Sequence, residues 1–155
     1  MDYKKIIQAF GILNRTFLSY STKSLSGEDL SYSDSIFLFN IGVKEGIIQK
    51  ELSNVLAIDK AAIARSVKNM QKKGFVRVVP SSLDKREKEL YLTASGERLF
   101  QSLQKINKLW IDYTLDGLNH EEVETFCKVL DKISNRARDF SYDENMGKQK
   151  KEMNL

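Results

Sequence analysis

Proline, cysteine and histidine each occur only once in this chain of 155 residues. With a single proline and eight glycines, the composition favours long uninterrupted helices over disorder or a succession of turns. The lone cysteine, Cys127, has no partner for an internal disulfide, and the lone histidine, His120, makes a poor transition-metal site. We therefore expect no disulfide framework, no bound metal and no cofactor.

Long apolar runs are also missing. The longest, residues 36–39, ends at Asn40 and is far too short to span a membrane. The first residues lack the basic and apolar regions of an export signal, because an amphipathic pattern follows them directly. Together with the single cysteine, these features predict a cytoplasmic protein without membrane contact.

Catalytic patterns are absent as well. The sequence shows no nucleophile elbow, no glycine-rich phosphate loop, no cluster of metal ligands and no paired carboxylates in a familiar frame. We therefore do not expect an enzyme.

The positive charge is concentrated in one segment. The whole chain has a net charge of +4, whereas residues 60–88 hold nine basic and two acidic residues, a balance of +7 that leaves about −3 for the rest. This concentration is typical of a phosphate-binding surface, although a solvated charged face gives the same numbers.

The middle of the chain predicts two helices joined by a tight turn. The first covers about residues 49–56, and the second covers residues 60–73, with Asp59 as its cap and Gly74 closing it. An earlier helix is expected to begin after Ser33, a good N-cap.

A hairpin is predicted next. β-Branched residues indicate a strand at 75–79 that Pro80 ends, and a polar turn leads to an antiparallel strand at 87–92. Two helices followed by a hairpin have the order of a winged helix-turn-helix. The expected fold class is therefore mainly α with a small β-hairpin wing.

The helix at 60–73 has two contrasting faces. Ile63, Val67 and Met70 share one face and should be buried. The opposite face carries small and cationic side chains without an acid: Ala61, Arg65, Lys68 and Lys72. Repulsion between neighbouring cations is tolerable if phosphates neutralise them, so this helix is predicted to enter the major groove of double-stranded DNA.

Several residues are predicted to contact that DNA. Arg65 is the candidate for a guanine or phosphate contact, and small residues at the helix start let the backbone approach base edges, unless these alanines reflect helix propensity alone. Ser66 and Asn69 flank the face and can add polar contacts. The full predicted set is Lys60, Ala61, Ala62, Arg65, Ser66, Lys68, Asn69, Lys72, Arg77, Lys85, Arg86 and Lys88.

The hairpin tip is the second predicted DNA element. Lys85 and Arg86 are placed to reach an adjacent minor groove, where the negative potential favours arginine. Asp84 is predicted to orient an arginine, either Arg86 or Arg77.

Amphipathic helices are predicted on both sides of this centre. The first carries an apolar stripe of Ile6, Phe10, Leu13, Phe17 and Tyr20. Similar stripes follow Thr93, which is predicted to cap its helix, and a capping box at 119–122. The centre is too small to cover three stripes, so we expect them to pack across the two-fold axis of a homodimer. The alternative is a monomeric bundle in which the stripes cover only one another.

One domain, 1–155, is expected. Residues 32–92 would form its DNA-binding lobe, residues 3–24 and 93–141 its helical dimerisation region, and the tail after Tyr142 would fray.

Part of the sequence resembles the MarR (multiple antibiotic resistance regulator) family of transcription factors. The resemblance lies in residues 59–65 and 73–76, in Asp84-Lys85-Arg86 of the wing, and in Leu92-Thr-Ala-Ser-Gly96. It implies a homodimer joined by the terminal helices, with residues 60–73 in the major groove and Arg86 in the minor groove. It also implies a pseudo-palindromic operator and, usually, a repressor that a small ligand or oxidation relieves.

Two departures from the family pattern concern this site. Ile48 stands where a polar helix cap is frequent, and Ala61 and Ala62 stand where hydroxyl residues are common. The second departure leaves the bases that are read undefined. The alternative function is a winged-helix protein-interaction module without DNA readout, which should carry acidic or apolar residues on the outward face of residues 60–73.

A small aromatic effector would bind between the dimerisation helices and the DNA-binding lobe. Candidate lining residues, each of which is also explained as plain core, are Phe10, Phe17, Phe37, Phe39 and Trp110. Cys127 lies beside the last apolar stripe and is expected to be a buried small hydrophobe rather than an exposed redox switch.

Overall fold

The structure is a computed structural model that describes residues 2–140. Its elements are α1 Tyr3–Ser24, α2 Tyr32–Val43, β1 Ile47–Ile48, α3 Gln49–Leu56, α4 Lys60–Lys72, β2 Val76–Pro80, β3 Lys88–Leu92, α5 Ala94–Thr114 and α6 His120–Arg138. The chain divides into two compact units after Thr114. The expected fold class, mainly α with a small antiparallel sheet, is confirmed. Among residues 2–140, no helix has both the length and the apolar character that a membrane crossing needs.

Helix α2 begins earlier than expected. The predicted cap was Ser33, whereas the actual cap is Ser31, whose hydroxyl oxygen accepts a hydrogen bond from the Asp34 amide at 3.0 Å. Both serines suit a cap chemically, and Ser31 has the acidic residue three positions later that a helix N-terminus favours.

Strand β1 was missed by the sequence analysis. Ile47 and Ile48 pair antiparallel with Leu90 and Glu89 of β3, so the strand order is β1-β3-β2. A strand of two residues has no periodicity to detect. Its effect is to fasten the start of α3 to the middle strand of the sheet.

Pro80 belongs to β2 rather than ending the strand before it. It occupies the last pair of the hairpin, opposite Lys88. Because β2 is an edge strand, a residue without an N–H group is tolerated there.

Helix α2 lies at the centre of the larger unit. Its Leu38 and Ile41 are fully buried, and it contacts α4, α5 and β3. Gly42 permits the close approach of α5, because a Cβ atom there would lie 2.5 Å from the ring of Phe100. The most deeply buried side chains of this core are Leu38, Ile41, Leu52, Ile63, Val67, Met70 and Leu90.

Thr93 joins α5 to the end of α4. Its hydroxyl donates to the Gly74 carbonyl at 2.6 Å and accepts from the Gly96 amide at 3.1 Å, which confirms its predicted role as a cap. Gly96 in turn lies against the Phe75 carbonyl, since a Cβ atom would be only 2.0 Å from that oxygen. The Leu-Thr-x-x-Gly pattern therefore builds a junction of helix, strand and helix.

Helices α1 and α5 pack together through the second half of α1. The rings of Phe17 and Trp110 meet edge to face, with 4.9 Å between their centroids, and the Tyr20 hydroxyl donates to the Ile106 carbonyl at 3.1 Å. The first half of α1 is exposed along its apolar stripe, at Ile6, Phe10 and Leu13. Among residues 2–140, only the second half of the predicted stripe is therefore covered.

Helix α6 forms most of the described part of the smaller unit, which covers residues 115–140. The predicted capping box is confirmed: the Glu122 amide donates to Asn119 Oδ1 at 3.0 Å, and the Asn119 amide donates to Glu122 Oε2 at 2.9 Å. None of its residues is buried. Cys127 is exposed, so the expectation of a buried thiol was wrong. The tail predicted to fray after Tyr142 lies outside the described residues.

Candidate nucleic-acid interface

A tight turn sets the position of α4 relative to α3. Ala57 adopts a left-handed conformation with φ of 52°, and the Ser53 hydroxyl donates to the Ile58 carbonyl at 2.6 Å. Asp59 then caps α4 as predicted, its Oδ1 accepting from the Ala62 amide at 2.9 Å. The carboxylate also complements the positive end of the helix dipole.

The two faces of α4 are arranged as the sequence predicts. Ile63, Val67 and Met70 are 0%, 2% and 0% exposed and join the core. Cationic and small side chains cover the other face and are all exposed: Lys60, Ala61, Ala64, Arg65, Lys68 and Lys72. Ala62 is half-buried. The exposed surface of α4 is thus positive, and it carries no acidic residue.

Ser66 and Asn69 have partners inside the protein. Ser66 is buried, and its hydroxyl donates to Oδ1 of Asp34 in α2. Asn69 is half-buried, and its Nδ2 donates to Oδ2 of the same carboxylate at 2.8 Å. The expectation that Ser66 flanks the outward face was wrong. A helical wheel represents one helix, so it cannot show that a residue between the two faces is hydrogen-bonded to a carboxylate on another helix.

The wing tip is a closed turn that exposes two cations. The Ser81 amide donates to the Glu87 carbonyl at 2.9 Å, and the Glu87 amide donates to the Asp84 carbonyl at 2.8 Å. Lys85 and Arg86 are exposed on this turn.

Asp84 and Arg86 form a two-point contact at that tip. Nε and Nη2 of Arg86 each donate to a different Asp84 oxygen at 3.1 Å, and the Arg86 amide donates to Oδ1 at 2.9 Å. These hydrogen bonds, first from the guanidinium and then from the amide, lower the pKa of Asp84 below its ordinary value. Asp84 therefore contacts Arg86, one of the two arginines considered for it.

Arg77 has different surroundings. It alternates with Val76 and Val78, which pack toward the core, and its guanidinium lies 4.2 Å from the centre of the Tyr91 ring. The Tyr91 hydroxyl donates to Glu89 at 2.8 Å, which raises the pKa of Tyr91. Arg77 thus lies in a mixed-charge cluster on the outer face of the sheet, away from the wing tip.

A cleft of about 440 Å³ joins α3, α4 and the wing. It is lined by Ile48, Gln49, Lys50, Ala64, Arg86, Glu87 and Lys88. Gln49 and Lys50, which β1 brings beside β3, were not among the predicted site residues. The signal available in the sequence was a cation at the start of the first helix of the helix-turn-helix.

The aromatic residues predicted to line an effector site are dispersed. Phe17 and Phe39 line a cavity of about 190 Å³ between α1, α2 and α5, and Trp110 packs against Phe17. Phe37 is buried next to a different cleft, which Asp34 and Arg65 also line, and Phe10 is exposed. The described residues contain no group of three or more His, Cys, Asp or Glu side chains suited to a metal ion.

Comparison with known proteins gives consistent matches. A sequence model of the MarR family matches residues 28–87. The HTH-type transcriptional regulator YybA of Bacillus subtilis is 28% identical over 138 residues, which are 88% of this chain and 92% of YybA. The HTH-type transcriptional regulator BilQ of Clostridium symbiosum is 30% identical over 122 residues, which are 79% of this chain and 85% of BilQ.

A solved structure agrees with these relatives. A MarR-family regulator of Listeria monocytogenes, crystallised with a 26mer DNA, superposes with a TM-score of 0.80 and 26% identity, covering 86% of this chain and 89% of that one. Helix-turn-helix, wing and flanking helices thus occur here in a chain that matches transcriptional regulators over most of its length. The chain belongs to the MarR family of DNA-binding transcriptional regulators.

Proposed function

We propose that this protein is a ligand- or stress-responsive repressor, which binds a pseudo-palindromic operator as a homodimer in the cytoplasm. The observation that carries the proposal is the cleft in which Arg86 and Lys88 of the wing lie near Ala64 of α4 and Lys50 of α3. A phosphate backbone can run along such a cleft while α4 enters the major groove on one side and the wing reaches the minor groove on the other.

Helix α4 is proposed to supply both anchoring and readout. Lys68 and Lys72 are exposed cations placed for phosphates, and Arg65 is the side chain suited to a guanine edge. Ser66 and Asn69 are left out of the proposed contacts, because Asp34 accepts hydrogen bonds from the Ser66 hydroxyl and from the Asn69 side-chain amide. The absence of acidic residues on this face supports DNA over a protein partner.

Arg86 is proposed to enter the minor groove. Its contact with Asp84 uses Nε and Nη2 and leaves further N–H donors of the guanidinium available. The aspartate holds the planar group in one orientation, so less conformational entropy is lost when DNA binds. Lys85 and Lys88 are proposed phosphate contacts, whereas the stacking of Arg77 on Tyr91 makes it the weakest candidate of the wing.

A second copy of the chain is proposed to cover the exposed apolar side chains of the terminal helices. Ile6, Phe10 and Leu13 of α1 are 42%, 45% and 42% exposed, and Phe126 and Leu130 of α6 are similarly open. Residues 3–24 and 93–141 would then form the dimerisation region, and residues 32–92 the DNA-binding lobe. An isologous dimer also matches the two-fold symmetry of a palindromic operator.

An effector is proposed to bind in the cavity between α1, α2 and α5. Every lining residue is uncharged, and the volume of about 190 Å³ suits a single aromatic ring, since an apolar cavity of about 150 Å³ holds benzene. The Ser21 hydroxyl in this lining is buried and has no hydrogen-bond partner within residues 2–140. A small neutral aromatic molecule with one polar group therefore fits best.

Binding sites selected by the protein from random duplex DNA provide the probe for the main test. Arg65→Ala and Arg86→Ala are each expected to weaken binding to the selected duplex by about 1–3 kcal/mol. Arg98→Ala is the matched control, because Arg98 is an exposed arginine of α5 whose guanidinium donates to the Ser95 hydroxyl of its own helix. The affinity should also fall with salt, with a log–log slope near −0.9 per phosphate contacted. Equal affinities for all three variants would contradict the proposed contacts.

A further inference from the structure

A buried carboxylate lies behind the helix that faces DNA. Asp34 is 6% exposed, and each of its two oxygens accepts a hydrogen bond from α4, Oδ1 from the Ser66 hydroxyl and Oδ2 from Asn69 Nδ2. Within the described chain no lysine or arginine forms an ion pair with it. A buried charge without a paired cation lowers stability, whereas an apolar residue in the same place would not. What Asp34 provides and an apolar residue cannot is directional hydrogen bonding.

Asp34 is carried by α2, the helix at the centre of the larger unit. Its backbone amide donates to the Ser31 cap at 3.0 Å, and it lies in the first turn of α2, where the helix dipole favours negative charge. The same helix is fixed in the core by Leu38 and Ile41, both 0% exposed. Asp34 therefore offers α4 a stationary point of attachment.

The spacing of its two partners makes that attachment specific. Residues 66 and 69 are three apart and so share one face of α4, one turn from each other. The apolar contacts of Ile63, Val67 and Met70 hold α4 against the core, but such contacts are non-directional. Two hydrogen bonds to one carboxylate fix the rotation and the axial position of the helix.

Small rotations of α4 matter for readout. Side chains reach roughly 5–6 Å from a helix axis, so a rotation of roughly 20° displaces their outer atoms by about 2 Å. That displacement exceeds the range of distances over which a hydrogen bond forms. Arg65 would then lose its hydrogen bond to a base edge, while the flexible Lys68 and Lys72 would still reach phosphates.

We propose that Asp34 is a positioning residue for DNA readout, which sets the register of α4 through Ser66 and Asn69. The inference rests on the proposed function, because it concerns how specifically α4 meets its operator. Asp34 itself does not touch DNA in this proposal. Its loss should therefore reduce discrimination between sequences and leave non-specific binding almost unchanged.

The test compares affinities for the duplex that the wild-type protein selects and for a scrambled duplex of the same composition. Asp34→Ala and the double variant Ser66→Ala/Asn69→Ala are each expected to lower the ratio of specific to non-specific affinity by about tenfold, with the salt slope on scrambled DNA unchanged. The triple variant Asp34→Ala/Ser66→Ala/Asn69→Ala should have the same ratio of specific to non-specific affinity as the double variant, because Asp34 acts only through these two partners. Ile41→Val is the matched control, because it weakens the apolar packing of α2 and removes no hydrogen bond between α2 and α4.

Thermal melting accompanies each titration, and Asp34→Asn replaces Asp34→Ala if the alanine variant does not fold. Asparagine keeps the size and one acceptor oxygen, and it is expected to lose part of the specificity ratio. Two results would overturn the inference alone. One is a ratio of specific to non-specific affinity in the Asp34 variants equal to that of Ile41→Val. The other is a triple variant in which the losses of Asp34→Ala and of the double variant add fully. A wild-type protein that selects no duplex would overturn the proposed function and the inference together.

Discussion

Arg86 and Arg77 carry the same charge in one hairpin, yet their neighbours give them different properties. Arg86 is exposed at the tip and aligned by Asp84, whereas Arg77 stacks on Tyr91 in a cluster that includes Glu89. The pKa of Glu89 is lowered by the Ser81 hydroxyl and then by Tyr91, so this cluster keeps a negative charge close to Arg77. The stacking on Tyr91 holds the Arg77 guanidinium on the face of the sheet, so Arg77 is less suited than Arg86 to reach DNA.

The Asp84–Arg86 contact predicts a specific pH response. The hydrogen bonds from Arg86 depress the pKa of Asp84, so the stabilisation of the wing tip is fully present above the ordinary aspartate pKa. It is lost as the pH falls through the lowered value. An NMR titration of the Asp84 carboxyl carbon should give a midpoint below that measured in the Arg86→Ala variant. Coincident midpoints in the two proteins would mean that the pair does not form in solution.

At the scale of single residues, the environment of side chains between the two faces of a helix could not be predicted from the sequence. The burial of Ile63, Val67 and Met70 followed from their spacing alone. Ser66 and Asn69 lie where the inward and outward faces meet, and their environment depends on Asp34, which is 32 residues before Ser66. No local pattern reports such a contact.

At the scale of elements, the junction after the wing explains the Leu-Thr-x-x-Gly motif, of which only the Thr93 cap was predicted from local pattern. Thr93 links the end of α4 to the start of α5, and Gly96 provides the room. The position of the wing relative to α4 depends on this junction, because β3 ends at Leu92, directly before it.

Gly96→Ala is expected to destabilise this junction. The added methyl group would meet the Phe75 carbonyl at 2.0 Å, and backbone on both sides prevents easy relief. Overpacking of this kind costs about 1–3 kcal/mol, so a clear drop in the free energy of unfolding should appear in urea titrations. Ser95→Ala, in the same turn but facing no such contact, should change stability much less. Equal stability of both variants would show that the junction relaxes without cost.

Strand β1 shows why a short element cannot be predicted from periodicity even when it positions residues of the site. Two residues carry no period, but their pairing with Leu90 and Glu89 brings Gln49 and Lys50 to the cleft beside Arg86. The longer elements were predictable because their apolar spacing persists over several turns. The capping of α2 by Ser31 rather than Ser33 is the usual ambiguity between two candidate caps that lie two residues apart.

For the whole molecule, the exposed apolar side chains of α1 are the main feature that a single chain leaves unexplained. Leu13→Asp, within that stripe, should weaken the proposed dimer by roughly 100-fold or more, since each of the two copies then buries a carboxylate. Leu83→Asp makes the same chemical change on the wing, where Leu83 is 95% exposed, and should leave the association unchanged.

Sedimentation equilibrium over a range of concentrations measures both variants. A wild-type protein that remains monomeric throughout would favour the monomeric bundle. A Leu13→Asp dimer as strong as that of Leu83→Asp would mean that the interface lies elsewhere.

The sequence by itself determined the order of helices and hairpin, the inward face of α4 and the concentration of cations between residues 60 and 88, because these follow from local spacing and composition. Only the tertiary structure decided that Asp34 holds α4 and that Lys50 joins Arg86 at one cleft. Each of these depends on residues or surfaces distant in the chain, and their meeting is fixed by the packing of the whole core rather than by any local preference.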